Sequence, residues 1–146
     1  MENKYYTPKI EEFCVGFEYE VNGLEGIWDN GKEERKWVHT SIDDNIHQLF
    51  AETKRLKEEP QNIRVKYLDK EDVESLGWEC IKQHPGTTNF YFERNEYSLD
   101  FDPEFGDKWN LRIYDGKDYE NEFNYFSGII KNKSELEKLM KQLNIL

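Results

Sequence analysis

Residues 89–101, NFYFERNEYSLDF, decide the fold. Asn89 to Arg94 reads as one strand and Asn95-Glu96 as the tip of a tight hairpin. Tyr97, Leu99 and Phe101 then alternate with Ser98, Asp100 and Asp102. Side chains on a strand point to opposite faces in turn, so a period of two buries one set and solvates the other. The segment predicts an antiparallel pair with rings turned inward and charges turned out.

Downstream, Pro103 to Asp107 turns the chain, and Trp109, Leu111 and Ile113 alternate with Asn110 and Arg112. Asp115-Gly116 is a strong turn pair, and Glu122 to Ile130 reads as a last strand. A helix closes the chain. Ser134 and Glu137 form a capping-box pattern, and Leu136, Leu139, Met140 and Leu143 make one apolar stripe. Upstream, Trp78 to Gln83 opens the strand run, with Pro85-Gly86 as a turn. Before it, Asp69 caps a short helix carrying Val73 and Leu76, stopped by Gly77. Ile63, Val65 and Tyr67 alternate as a strand. Ser41 and Asp44 signal the start of a long helix that carries Ile46, Leu49, Phe50 and Leu56 to about residue 58, with Pro60 beyond it. Lys36 to Thr40 is a short strand, Gly23 to Gly31 a loop, and Phe13 to Val21 a half-buried strand.

An unbroken run of strands flanked by helices predicts an α+β fold. The expected form is a mostly antiparallel sheet of about five to seven strands, with two longer helices and one short helix packed on one face. With 146 residues and no repeat, low-complexity tract or linker, a single compact domain over residues 1–146 is expected.

The chain holds 20 Lys and Arg against 31 Asp and Glu, a net charge of -11. A mean hydropathy of -0.99 leans toward disorder. Four Trp, nine Tyr and nine Phe oppose it, because each ring buries a large area and few residues then suffice for a core. An anionic protein repels phosphates and anionic lipid, so direct nucleic-acid binding and membrane association are not expected. A protein partner is expected instead, and exposed rings or an unpaired strand edge leave a homodimer open. No apolar run is long enough to span a bilayer. Met1 to Tyr6 contain no apolar stretch after their charges, so no secretory signal is expected and the location is read as cytoplasmic. Cys14 and Cys80 lie far apart without a CxxC pattern, which predicts two buried free thiols.

Acidic residues are densest between Asn89 and Phe123, where ten acids face four bases. The plain reading is a solvated sheet face. The functional one is an acidic interaction surface formed by Glu93, Asp100, Asp102, Glu104, Asp107, Asp115 and Asp118. A calcium loop starting at Asp100 would need Gly at its sixth position and Glu at its twelfth, but Phe105 and Leu111 stand there. His39, His47 and His84 are scattered and form no zinc pattern with the cysteines. GxSxG, GxGxxG and P-loop motifs are absent. Glu18 and Glu20 share one strand face without a placed partner. No cofactor, metal site or catalytic residue is therefore assigned. One basic island remains: Lys54, Arg55 and Lys57 at a helix end, with Arg64 and Lys66 on the next strand. Cations at a helix C-terminus satisfy the helix dipole. The sharper reading is a small anion pocket, lined in addition by Tyr67 and Trp78.

Three stretches together carry a resemblance: YYTPKIEEFCVGFEYEV at Tyr5 to Val21, IRVKYLDKEDVESLGW at Ile63 to Trp78, and IKNKSELEKLMKQLNI at Ile130 to Ile145. The chain resembles a family of small uncharacterised proteins encoded by anaerobic gut bacteria and their phages or prophages. The resemblance implies a compact cytosolic accessory protein of mobile-element origin, and it transfers no catalytic residue. The expectation that follows is a non-enzymatic binding protein acting by contact with a host macromolecule through its acidic surface, by nucleic-acid mimicry in the strongest form. The alternatives are a protein that sequesters a small nucleotide signal on the basic island, and, third, a metal-dependent hydrolase using the acidic strands.

Overall fold

Alternating residues build two antiparallel sheets, of four and five strands, where one sheet of five to seven was expected. The structure, a computed structural model, describes residues 4–24, 35–104, 109–116 and 123–146. The chain divides into two compact units, Met1–Tyr67 and Leu68–Leu146.

In the N-terminal unit, β1 (Tyr5–Tyr6), β2 (Glu18–Leu24), β3 (Arg35–Ser41) and β4 (Ile63–Lys66) lie in the order β1-β4-β2-β3, every pair antiparallel. Phe17, Tyr19, Ile42, Ile63 and Val65 form its core, with Tyr6, Phe13, Val21 and Leu56 packed against it. Leu56 comes from α1 (Ile46–Glu58), so this helix covers the inner face of the sheet. Because β1 and β2 occupy both edges of β4, no edge of that strand is free to receive the next one. The later strands start a sheet of their own.

Several boundaries differ from the sequence reading, each for a local reason. β2 begins at Glu18, since Gly16 at φ +85 turns the chain and leaves Val15 exposed. α1 is capped by Asn45, whose side chain accepts from the His47 N–H, while Ser41 is the last residue of β3. Ile46 and Phe50 face water on α1. Cys14 and Cys80 are both free thiols, but neither is fully buried as expected: Cys14 is exposed and Cys80 half-buried.

In the C-terminal unit, α2 (Lys70–Ser75) is capped by Asp69 in a reciprocal box with Asp72. Gly77, at φ +85, ends it as expected, because that backbone geometry strains any residue with a Cβ. β5 (Glu79–Gln83), β6 (Phe90–Arg94), β7 (Tyr97–Phe101), β8 (Leu111–Asp115) and β9 (Asn124–Gly128) then follow as a simple meander. Phe92, Leu99, Phe101, Leu111 and Ile113 line its inner face, against Val73 of α2 and Leu136 and Met140 of α3 (Lys133–Gln142). α3 is capped by Asn132, which accepts from the Glu135 N–H, two residues before the cap pattern expected at Ser134 and Glu137. The three helices are thus shared between the two sheets.

Candidate anion-binding face

Strand alternation sorts the polar residues of the N-terminal unit onto the outer face of its sheet. Tyr19, Val21, Ile63 and Val65 turn inward. The register then sets Glu20 opposite both Arg64 and His39, Trp37 opposite Asn22, and Tyr5 opposite Lys66, all on the other face. The Arg64 guanidinium carbon lies 3.7 Å from the centroid of the Tyr5 ring and 3.9 Å from that of Trp37. Arg64 Nε donates to Glu20 Oε2 at 2.6 Å. Two ring faces and one carboxylate therefore hold the planar group in place. Among the described residues its two terminal nitrogens make no hydrogen bond.

A guanidinium presents its donors as a rigid fork that matches two oxygens of a phosphate or carboxylate. Here the stem is fixed by the rings and Nε is taken by Glu20, which leaves the terminal edge to meet a ligand. Trp37 stays 36% exposed while stacking on Arg64, so ring surface borders the fork. Lys66 lies two residues along on the same face, and His39 Nε2 stands 3.9 Å from Glu18 Oε2. Arg64 and Lys66 share this face with Glu18 and Glu20, so it carries cations beside its acids in a chain of net charge -11.

The structure distributes the five predicted anion-pocket residues over both sides of the sheet. Arg64 and Lys66 share the outer face. Lys54, Arg55 and Lys57 belong to α1, on the inner side. Lys54 and Arg55 border a cleft of about 520 Å³ together with Asn22, Asn62, Glu58 and Glu59. There Lys54 Nζ is 4.0 Å from Glu58 and Arg55 Nε is 3.2 Å from the buried Glu52, so both cations already have anionic neighbours. Lys57 is exposed outside that lining. Tyr67 belongs to the N-terminal unit, and Trp78 is buried in the core of the C-terminal unit.

The predicted acidic surface is divided as well. On the outer face of the C-terminal sheet, Glu93 lies opposite Glu79, and Asp100 lies between Tyr91 and Arg112. Glu93 accepts from Tyr91 Oη at 2.7 Å. Asp102 holds a turn, accepting from Thr88 Oγ1 and from the Glu104 N–H. Glu104 is exposed, and Asp115 ends β8. Asp107 and Asp118 lie outside the described residues. Among the described residues no three His, Cys, Asp or Glu side chains group as they would around a metal ion, and no helix is long and apolar enough to cross a membrane.

No protein-family model, curated protein or solved structure matches the chain. What defines it is a pair of antiparallel α+β units with an aromatic-clamped arginine on one sheet. Sequence reading named Arg64, and Glu20 only as one of two acids on a strand face; it missed Tyr5, Trp37 and the Glu20–Arg64 pairing, because the clamp is made across strands. The one local signal is the outward placement of Trp37 and His39 on a short alternating segment.

Proposed function

We propose that this chain is a non-enzymatic binding protein that sequesters a small anion bearing a planar ring, of nucleotide chemistry, on the outer face of its N-terminal sheet. The observation that carries this reading is Arg64, fixed between Tyr5 and Trp37 with its terminal nitrogens unpaired among the described residues. The fork takes the anion, and the exposed ring surface beside it takes the base by stacking, which contributes about 1–3 kcal/mol per base at such platforms. A small ligand fits better than a polymer, since a net charge of -11 repels a polyanion along its length.

The test is a thermal-shift and calorimetric titration with a panel of cyclic and ADP-ribose-type nucleotides. A ligand at a hundred times its Kd stabilises the fold by about 2.7 kcal/mol, a readily measured shift. Arg64→Lys keeps the charge and loses the fork, and should weaken binding by about tenfold or more. No shift with any member of the panel, or binding untouched by Arg64→Lys, overturns the reading.

Contact of the acidic sheet with a basic host macromolecule is the second reading. Glu79 and Glu93 favour it, standing directly opposite each other on neighbouring strands. Like charges so placed destabilise a sheet, and a cationic partner would relieve them. Replacing both by Gln should stabilise the free protein and abolish capture of such a partner. Unchanged capture would remove this reading.

A further inference from the structure

Opposite charges four residues apart on a helix ordinarily pair. Arg55 in the last turn of α1 and Glu59 at its C-cap have that spacing, and the Glu59 N–H donates to the Arg55 carbonyl at 2.7 Å. Their side chains are nevertheless held apart. Arg55 Nε lies 3.2 Å from Glu52 Oε2, and Glu59 Oε2 accepts from Asn62 Nδ2 at 2.9 Å. Both anchors are buried, Glu52 at 8% exposed and Asn62 at 7%. Among the described residues the terminal nitrogens of Arg55 make no hydrogen bond, and Glu59 meets no cation. Arg55 and Glu59 both line the cleft of about 520 Å³, a volume usual for small-ligand sites. Gly23 of β2 lines it from the sheet, and a Cβ placed there would meet no neighbouring group within 4 Å, so that wall is open.

We propose that this cleft binds a small zwitterion, a free amino acid or short peptide whose carboxylate meets the Arg55 fork and whose ammonium meets Glu59. The signs of the lining select that chemistry. Lys54 and Arg55 stand beside Glu58 and Glu59, with Lys54 Nζ 4.0 Å from Glu58 Oε2. A bare anion is repelled by the two carboxylates, and a bare cation by the two bases. A ligand carrying both signs is attracted at each end, with its charges set where Arg55 and Glu59 are held. The fork matches a carboxylate through two parallel bonds, and an ammonium gives Glu59 a charge-assisted one. This site lies on the side of the N-terminal sheet that α1 covers, away from Arg64 and its rings, and does not depend on them.

Titration calorimetry of the full chain tests this with L-alanine, L-glutamate, L-lysine, dialanine and trialanine. Binding of the single amino acids, or of the peptides alone, supports the proposal and tells the two sources apart. A ligand that binds should weaken by about tenfold or more when its amine is acetylated or its carboxylate is methylated, since each change removes one charge-assisted contact. Glu59→Gln keeps an oxygen for Asn62 and should weaken the free ligand by a similar factor, with its melting temperature kept and the acetylated form unaffected. Arg55→Lys leaves Glu52 a cation but loses the fork, and should weaken binding likewise. Lys57→Ala removes a charge of α1 outside the lining and should leave affinity unchanged. No binding of any of these compounds at millimolar concentration overturns the proposal, as does equal binding of the blocked forms, or an affinity that Glu59→Gln spares or that Lys57→Ala lowers as much.

Discussion

The side chain of Asn110 and the backbone of Ile130 are joined by two reciprocal hydrogen bonds. Asn110 Nδ2 donates to the Ile130 carbonyl at 2.7 Å, and the Ile130 N–H donates to Asn110 Oδ1 at 2.8 Å. The Asn110 backbone also donates to Gly128 and accepts from Asp102. A fully buried amide thus continues the β8–β9 ladder beyond the last paired strand residue. Asn110→Ala strips the partners from a buried N–H and a buried carbonyl, each worth about 1–3 kcal/mol, so a loss of about 2–5 kcal/mol is expected in urea unfolding. Asn110→Asp keeps the acceptor and loses the donor when ionised. Its protonated form restores the donor, so this carboxyl titrates higher in the folded chain. Relative to wild type the variant should be most stable at low pH and lose stability as pH rises. A pH-independent difference would refute the role given to Nδ2.

Tyr19 sets a limit to alkaline stability. Its phenol is 2% exposed, and burial followed by the charge of Glu52 pushes its pKa up to about 12 from 10.0, against a lowering contribution from Gln48. The unfolded chain loses this proton first as pH rises. Stability is therefore fully present below pH 10 and declines toward pH 12, by about 1.4 kcal/mol per pH unit for one proton. Tyr19→Phe should remove that share of the decline. Chemical denaturation at several alkaline pH values, with tyrosinate absorbance followed in parallel, reads both effects. Equal slopes in the two proteins would contradict the assignment.

Glu20 competes with an incoming anion for Arg64. Glu20→Gln retains an oxygen for Nε and removes the charge beside the fork. Nucleotide affinity should therefore rise by about threefold, while stability falls by less than about 1 kcal/mol, as for other partly exposed ion pairs. Titration calorimetry at moderate salt measures the first and thermal melting the second. Weaker binding in Glu20→Gln would mean that the ligand does not approach Arg64 from the terminal edge.

Local chemistry made some elements of the fold legible and hid others. Asp69 and Gly77 bracket α2 as their types require, because cap and stop are made within one turn of chain. The meander from β5 to β9 follows from alternation and turns between neighbouring strands. Order in the N-terminal sheet was not legible, since β4 enters between β1 and β2 from more than forty residues away. The site divides the same way. Arg64 and Lys66 share a strand, and alternation puts them on one face. Lys54, Arg55 and Lys57 are near them in sequence yet on the far side of the sheet. Tyr5, Trp37 and Glu20 reach Arg64 only through cross-strand register, which composition and periodicity do not encode.

Trp78 and Met140 link the start of the meander to α3. The buried indole Nε1 donates to Met140 Sδ at 3.3 Å, and both residues lie in the core of the C-terminal unit. A thioether is a weak acceptor, but among the described residues it is the one the indole has. Met140→Leu conserves volume and removes the sulfur, so the buried N–H loses its partner at a cost of about 1–3 kcal/mol. In a Trp78→Phe background no N–H remains to be orphaned, and the same exchange should cost less than about 1.5 kcal/mol. A double-mutant cycle in urea isolates the difference from the general effect of repacking. Equal costs in the two backgrounds would show that sulfur serves this core only as bulk.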